Sequence, residues 1–442
     1  MKRRELIKLG AAATAGVAGS QLLTGCDHNP SMKKGMASTG KSAKARVVVV
    51  GGGVGGVSTA QAIKKADPNI EVTIIEKNKL YSTCYGSNWV LSDIFKMNDI
   101  TSNYNKMADK YKINMVYDQV VGYDPVKKTV STAHGKTFAY DRLVVSPGIS
   151  FRWDTIEGHD ESTTHLVPHA YKAGYQTMQL KEQMDDMPAD GTMVMVTPPN
   201  PFRCPPGPYE RASMVAEFLK REKPKAKLII LDAKDKFSKF GLFTGGWKMH
   251  YGYESDNSII DWVSKSNGGT VKAVDPKNMT VTTADGEKIK ADVINYIPAQ
   301  KANNTAAMMG LVNDKGWCPV DQTTFESTMV PGVHVLGDSS VASPMPKSAF
   351  SANSQAAVVG KAVAALVNGQ EASKDGNFGN QCYSLITTDH GISVAAGYKL
   401  KEGKIAKTSG GLFPKQLTKK AFEMEAGSAR GWYAGMAGTI FG

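Results

Sequence analysis

The 442-residue chain predicts an α/β fold of two Rossmann-like, dinucleotide-binding units followed by a smaller α+β unit at the C-terminus. Three observations lead there. A β-branched run, Ala45-Arg46-Val47-Val48-Val49-Val50, opens directly into a glycine pattern at Gly51, Gly53 and Gly56. The stretch from Asp124-Pro125 to Pro147 is repeated without a gap from Asp275-Pro276 to Pro298, so the chain contains two similar halves. Hydrophobic residues make up 41% of the chain and glycines number 44, enough to fill two or three cores joined by tight turns.

The first residues carry an address rather than a fold. Lys2-Arg3-Arg4-Glu5-Leu6-Ile7-Lys8 is a twin-arginine-like region, followed by an Ala/Gly-rich stretch and then Leu23-Thr24-Gly25-Cys26, which has the form of a bacterial lipoprotein box. The expectation is export in the folded state, lipid attachment at Cys26, a polar tether from Asp27 to Lys44, and a periplasmic, membrane-anchored product. No internal apolar run approaches the length of a membrane span.

The Val47–Val50 run suits a strand covered on both faces. The glycines then let the backbone turn and approach a pyrophosphate at the N-terminus of a helix expected over Val57 to Lys65. A second strand, Glu71 to Ile75, ends in Glu76, beside Lys77, where a carboxylate reaches a ribose hydroxyl. Each copy of the repeat predicts a meander around a glycine turn, His134-Gly135 and Asp285-Gly286, and then an apolar strand. The first of these, Leu143-Val144-Val145, ends in Ser146-Pro147-Gly148.

In the second half Val194-Met195-Val196-Thr197 stands where Val47–Val50 stands in the first, a helix is expected over Ala212 to Arg221, and Leu228 to Asp232 matches the strand ending in Glu76. The loop between strand and helix has no GxGxxG. It reads Pro198-Pro199-Asn200-Pro201-Phe202-Arg203-Cys204-Pro205-Pro206-Gly207-Pro208 and is about ten residues longer than its counterpart. Proline offers no N–H to a phosphate and fixes its own φ, so this loop is suited to holding one side chain still rather than cradling a nucleotide. Further on, Val333 to Leu336 is a strand ending in Gly337-Asp338, whose acid would meet a ribityl chain. Lys347, ahead of a helix over Ser348 to Gln355, is expected to place positive charge near a reduced ring. Together these positions predict FAD as the occupant.

The five cysteines include Cys84, Cys204, Cys318 and Cys382 beyond the lipidation site. Outside the cytoplasm such thiols pair, and spacing leaves the connectivity open. No CxxCH for haem and no paired CxxC for zinc occurs, and Pro168 between His165 and His169 argues against a helical metal face, so no metal site is expected. A formal net charge of +12 is compatible with an anionic substrate or partner. Nucleic acid is not expected, because no basic helix or aromatic platform is present.

Several runs resemble the flavoprotein subunit of flavocytochrome c sulfide dehydrogenase, a glutathione reductase-like family, across nearly all of the chain beyond the lipoprotein box. They are Tyr81-Ser82-Thr83-Cys84-Tyr85, Pro201 to Ser213, Gly316 to Asp321, Pro344 to Ser348, Ser351 to Gln355, and Gln381-Cys382-Tyr383-Ser384. The resemblance implies a covalent thioether from Cys84 to FAD and a redox-active Cys204–Cys382 disulfide above the flavin, with Glu210 close by; residue spacing alone equally allows Cys204–Cys318. It implies that hydrosulfide attacks the disulfide and that electrons leave to a haem on a c-type cytochrome subunit. The alternatives are a sulfide:quinone oxidoreductase and a non-catalytic flavin-bearing subunit that docks a cytochrome. The chain departs from the family at the lipoprotein box and over its last thirty or so residues. On this reading it divides into signal and lipidation site (1–26), tether (27–44), the first segment of an FAD-binding domain (45–165), a second Rossmann-like domain with the cysteine loop (166–300), the second segment of the FAD-binding domain (301–378) and a C-terminal flavin-binding domain (379–442).

Overall fold

The strand Arg46–Val50 lies at the centre of a five-stranded parallel sheet, between Arg142–Val145 on one side and Glu71–Glu76 on the other. Val333–Val335 and Asn114–Tyr117 complete its two edges. The structure is a computed structural model that describes residues 44–442, so the signal, Cys26 and nearly all of the tether lie outside the described residues. Val49, Val144 and Val335 are fully buried, as β-branched strands covered by helices on both faces require. Because the edge strand Val333–Val335 arrives late in the chain, the first unit is assembled from two separated segments. The chain leaves Arg46–Val50 toward one side of the sheet and later returns on the other, which makes its C-terminal end the switch point where a ligand crevice opens.

Helix Val54–Ala66 begins inside the glycine pattern, three residues earlier than the apolar periodicity suggests. It packs on helix Ala349–Val367 so tightly that a Cβ on Gly360 would stand 2.4 Å from the Cβ of Ala62.

The second parallel sheet has the order Ile260–Val263, Lys227–Asp232, Thr192–Thr197, Val293–Tyr296. Its first connecting helix runs over Gly207–Glu222, starting well before the expected Ala212, because Gly207-Pro208 lies in the first turn, where a missing N–H leaves no intrahelical bond unmade.

The repeat is visible down to its irregularities. Both meanders are three-stranded and antiparallel, Val120–Asp124 with Thr129–Thr132 and Thr137–Ala139, and Val271–Asp275 with Thr280–Thr283 and Lys288–Lys290. Each carries a register shift at the same place, Val120/Gly122 and Val271/Ala273, and positive φ at the matching turn residues Lys128 and Met279.

The C-terminal unit is an antiparallel sheet of Asn377–Thr387, His390–Lys401 and Lys404–Phe413, packed against helix Lys419–Ile440. That helix buries Phe422, Ala426, Ala429, Tyr433, Met436 and Ile440, a stripe at helical spacing. Among the described residues no helix is long and apolar enough to cross a membrane.

Candidate functional site

A cleft of about 1040 Å³ runs from the Gly51–Gly56 loop to the cysteine loop and the first strand of the C-terminal sheet. Gly51, Gly53, Glu76, Lys77, Cys84, Ser146, Gly148, Cys204, Glu210, Gly337, Asp338 and Cys382 all line it. Residues as distant in sequence as Gly51 and Cys382 are therefore brought to one surface.

At the nucleotide end, a Cβ on Gly51 would stand 2.5 Å from the carbonyl oxygen of Ser146, at a φ of +104°. Gly56 lies beneath the loop rather than on the cleft wall. A Cβ there would sit 1.9 Å from the Gly51 carbonyl oxygen, so it sets the approach of helix to strand. Glu76 accepts from the Gly52 N–H at 2.7 Å and the Asn78 N–H at 2.9 Å, which holds its carboxylate at the cleft edge. The first turn of helix Val54–Ala66 has no side-chain cap, leaving its N–H groups to an anion. Asp338 Oδ1 is buried without a partner. An uncapped helix start, a carboxylate at the ribose position and an orphaned buried acid beside the ribityl path fit FAD.

Lys347 is placed differently from expectation. Its ammonium donates to the carbonyls of Asp338 and Ser340, each at 2.8 Å, and lies 3.7 Å over the Trp317 ring. It braces the Gly337-Asp338 turn from behind and is not on the cleft wall. Burial pushes it down to about 8, with Asp338 countering. Arg203 is on the wall, beside Cys84 and Asp338, which hold it protonated against burial.

At the sulfur end Cys204 is held in the left-handed region, φ +53°, which a cysteine adopts only when its surroundings compel it. Its N–H donates to the Lys347 carbonyl at 2.7 Å, and its carbonyl accepts from Gly207 N–H at 2.8 Å and from the Tyr171 hydroxyl at 3.0 Å. Gly207 lies close beneath this loop, since a Cβ would be 3.0 Å from Cys204 Sγ and 3.1 Å from the Tyr171 hydroxyl and would press on both. Cys382 sits on strand Asn377–Thr387 with its thiol directed to Asn380 Oδ1 at 3.5 Å. Burial pushes the Cys84, Cys204 and Cys382 thiols up, Cys204 well above its ordinary value.

The four described cysteines are separate thiols in this structure. Cys318 lies in the core, in strand Cys318–Pro319 beside Ser340–Val341, away from the cleft wall, and burial pushes it up to about 12.

Glu210 joins three elements. One oxygen accepts from Trp89 Nε1 at 2.9 Å and Leu385 N–H at 3.1 Å, the other from Asn88 Nδ2 at 3.0 Å. Burial pushes its carboxyl up, against the effect of these donors. Asn88 is fixed in turn by Arg211, which also reaches Asn295 and the carbonyls of His169 and Ala170. His169 accepts from Tyr171 N–H and burial pushes it down to about 3; His165 is exposed beside the Ser162 carbonyl. The residues that sequence reasoning misses are Arg203, Tyr171, Arg211 and Lys239. Only Arg203 carries a signal, its place next to Cys204 in the same rigid loop.

The counterpart nucleotide site is closed by the protein itself. Asp232, the partner of Glu76 in the repeat, is fully buried. It accepts from the Tyr209 hydroxyl at 2.6 Å, Trp262 Nε1 at 3.0 Å and Lys234 N–H at 3.0 Å, and pairs with the Lys234 ammonium at 2.7 Å. Tyr209 stacks on Phe237 at 3.5 Å. No acceptor capacity is left there for a ribose.

The family model described as "Sulfide dehydrogenase [flavocytochrome c] flavoprotein chain, central" matches residues 177–298, and that described as "Flavocytochrome c sulphide dehydrogenase, flavin-binding" matches 374–441. The pyridine nucleotide-disulphide oxidoreductase model matches 45–184. The chain is 56% identical over 45 residues to the sulfide dehydrogenase [flavocytochrome c] flavoprotein chain of Chlorobaculum thiosulfatiphilum, covering 10% of this chain and 94% of that one. It is 23% identical over 271 residues to the sulfide-quinone reductase of Aquifex aeolicus, spanning 60% of each chain. With the mitochondrial sulfide:quinone oxidoreductase of Schizosaccharomyces pombe it shares 23% identity over 407 residues, 86% of this chain and 85% of that one. The X-ray structure of the Aquifex aeolicus sulfide:quinone oxidoreductase superposes with a TM-score of 0.68 at 18% identity, over 90% of this chain and 92% of that one, a likeness of fold.

Proposed function

This chain belongs to the flavocytochrome c sulfide dehydrogenase flavoprotein family, and from that premise we propose that it oxidises hydrosulfide to sulfur or polysulfide and passes the electrons to a c-type cytochrome subunit. The observation that carries the reading is the cleft itself. Cys84, Cys204 and Cys382 line the same surface as the dinucleotide loop, while the second nucleotide site is filled by Tyr209, Trp262 and Lys234.

Gly51, Gly53, Glu76, Lys77, Ser146, Gly148, Gly337 and Asp338 would hold FAD, with Cys84 as its covalent attachment. Bound there, FAD supplies the conversion of a two-electron oxidation into one-electron steps. The chain's own part is thiol–disulfide chemistry. Cys204 and Cys382 form the disulfide that hydrosulfide opens, a pairing supported by their shared cleft and by the core position of Cys318. Arg203 supplies positive charge that favours the Cys84 thiolate from which the attachment to FAD would form. Glu210 orients the strand of Cys382 through its bond to Leu385 N–H. Export by a twin-arginine route and a lipid anchor on Cys26 would put this chemistry in the periplasm.

The test is purified protein given sulfide with either cytochrome c or a short-chain quinone. Preferential cytochrome c reduction is expected. Preferential quinone reduction would favour the second reading, sulfide:quinone oxidoreductase, to which the Aquifex and Schizosaccharomyces relatives point. Cys204→Ser is expected to abolish sulfide-dependent bleaching of the flavin; unchanged bleaching would favour a docking subunit without catalysis. Acid-precipitated protein should stay yellow, with flavin on the peptide containing Cys84.

A further inference from the structure

We propose that Lys239 is a positioning residue that makes Cys382 the leaving thiolate of the Cys204–Cys382 couple, so that hydrosulfide adds to Cys204. The inference rests on the sulfide-oxidising reading above and adds a direction to it.

Lys239 stands immediately before helix Phe240–Tyr251 in the left-handed region, φ +62°, and its carbonyl accepts from the N–H groups of Leu242 and Phe243, both at 3.0 Å. From this left-handed position the lysine side chain is directed inward. The residue is only 3% exposed. Its ammonium donates to the carbonyl of Cys382 at 3.2 Å and to Ser384 Oγ at 2.8 Å. Neither partner is a carboxylate. A buried ammonium with only neutral partners is costly, in contrast to Lys234, which pairs directly with Asp232. The position makes physical sense if negative charge develops nearby during the reaction.

The groups that bear on Lys239 electrostatically are Cys382, Glu210, Cys204 and Glu425, with Cys382 foremost. Glu210 already serves Trp89, Asn88 and Leu385. Around Cys382 the main influence against burial is the Lys239 ammonium, helped by Asn380 and Ser348 and opposed by Glu210. Around Cys204 the neighbours Cys382 and Glu210 oppose a thiolate and Arg203 favours one, while the Lys239 ammonium bears on Cys204 less than on Cys382. Both cysteines line the cleft. The departing charge is therefore best accommodated at Cys382, whose carbonyl and near neighbour Ser384 hold the Lys239 ammonium, and Cys204 is left as the sulfur that takes the incoming anion.

The step balances without an external oxidant. An electron pair of hydrosulfide forms a bond to Cys204 Sγ, the Sγ–Sγ bond breaks, and its pair leaves on Cys382 Sγ as thiolate. The proton stays on the terminal sulfur of the Cys204 persulfide. The incoming sulfur is oxidised as the Cys382 sulfur is reduced.

The test is the pH dependence of alkylation of the reduced holoenzyme by iodoacetamide, read peptide by peptide by mass spectrometry. In the unsubstituted protein the Cys382 midpoint is expected below that of Cys204. Lys239→Met should raise the Cys382 midpoint by one unit or more, about a ten-fold loss of thiolate at neutral pH, and move Cys204 much less. Lys239→Arg should keep the midpoint low. Lys239→Gln keeps hydrogen-bond donors without charge and should behave like Lys239→Met; it decides the question if the methionine variant does not fold. A brief sulfide pulse given instead to the oxidised holoenzyme, with the Cys204–Cys382 disulfide intact, and followed by alkylation should leave the extra sulfur on the Cys204 peptide. An unmoved Cys382 midpoint in Lys239→Gln, or the extra sulfur on Cys382, would overturn the proposal. Alkylation needs no sulfide, so a protein that shows the Lys239 effect but no sulfide-dependent bleaching would refute the functional reading alone.

Discussion

Replacing Glu210 by glutamine separates an anchoring carboxylate from one that does proton chemistry. The glutamine carbonyl can take the place of the oxygen that accepts from Trp89 Nε1 and Leu385 N–H, but its amide nitrogen then faces the Asn88 amide nitrogen. Asn88 cannot flip freely, because its own carbonyl oxygen accepts from Arg211 Nε at 3.1 Å. One hydrogen bond from Asn88 is lost and two donors confront each other, a destabilisation of about 1–3 kcal/mol. Glu210→Ala removes the acceptor from both Trp89 Nε1 and Leu385 N–H, two buried donors at about 1–3 kcal/mol each, out of a total stability on the order of 5–15 kcal/mol.

The pH sign follows from burial, which raises the Glu210 carboxyl above its ordinary 4.5, so the folded state binds this proton more tightly than the unfolded chain. Its contribution to stability is fully present below the unfolded value and is lost as pH rises through the folded value. The penalty of Glu210→Gln should therefore be larger near the unfolded carboxyl value and shrink toward neutral pH. Urea unfolding at two pH values measures this. A penalty that grows with pH would refute the assignment of a raised carboxyl. If the carboxyl only anchors, the folded glutamine variant should keep sulfide-dependent bleaching within about ten-fold, whereas a loss beyond about a hundred-fold would show that it transfers a proton.

Other expected outcomes follow from single distances. Gly207→Ala places a Cβ 3.0 Å from Cys204 Sγ, and sulfide-dependent bleaching should slow at least ten-fold in stopped-flow while the melting temperature changes little, because alanine is otherwise favourable in a helix. Cys318→Ala should leave bleaching unchanged and lower stability by about 1 kcal/mol, since it removes a small buried side chain; loss of bleaching would restore Cys318 as a candidate partner of Cys204. NADH should neither bleach the flavin rapidly nor saturate, because Asp232 already accepts from Tyr209, Trp262 and Lys234.

The parts of the fold legible in the sequence are those set by short-range patterns. The Val47–Val50 run, the glycines at 51, 53 and 56 and the acid at 76 form one contiguous unit whose spacing reflects strand, turn and helix geometry. The duplicated meanders are legible because they are copied together with their turns. The start of helix Gly207–Glu222 is hidden by its prolines, which have the character of a loop although a helix tolerates them in its first turn. Lys347 departs from expectation for a different reason. Its neighbourhood in sequence is that of Asp338 and the cleft, but its side chain folds back over Trp317.

By itself, then, the sequence determined that this protein has two Rossmann-like halves, that one keeps a dinucleotide loop, and that the other exchanges it for a stiff loop carrying Cys204. These are local properties, dictated by which residues can turn, donate or alternate between faces. The tertiary structure decided which cysteines share a surface, that Asp232 is satisfied from within, and that an ammonium from residue 239 lies against the strand of Cys382. Those outcomes depend on where chain segments far apart in sequence come to rest, and burial and charge act on through-space neighbours, not on spacing along the chain.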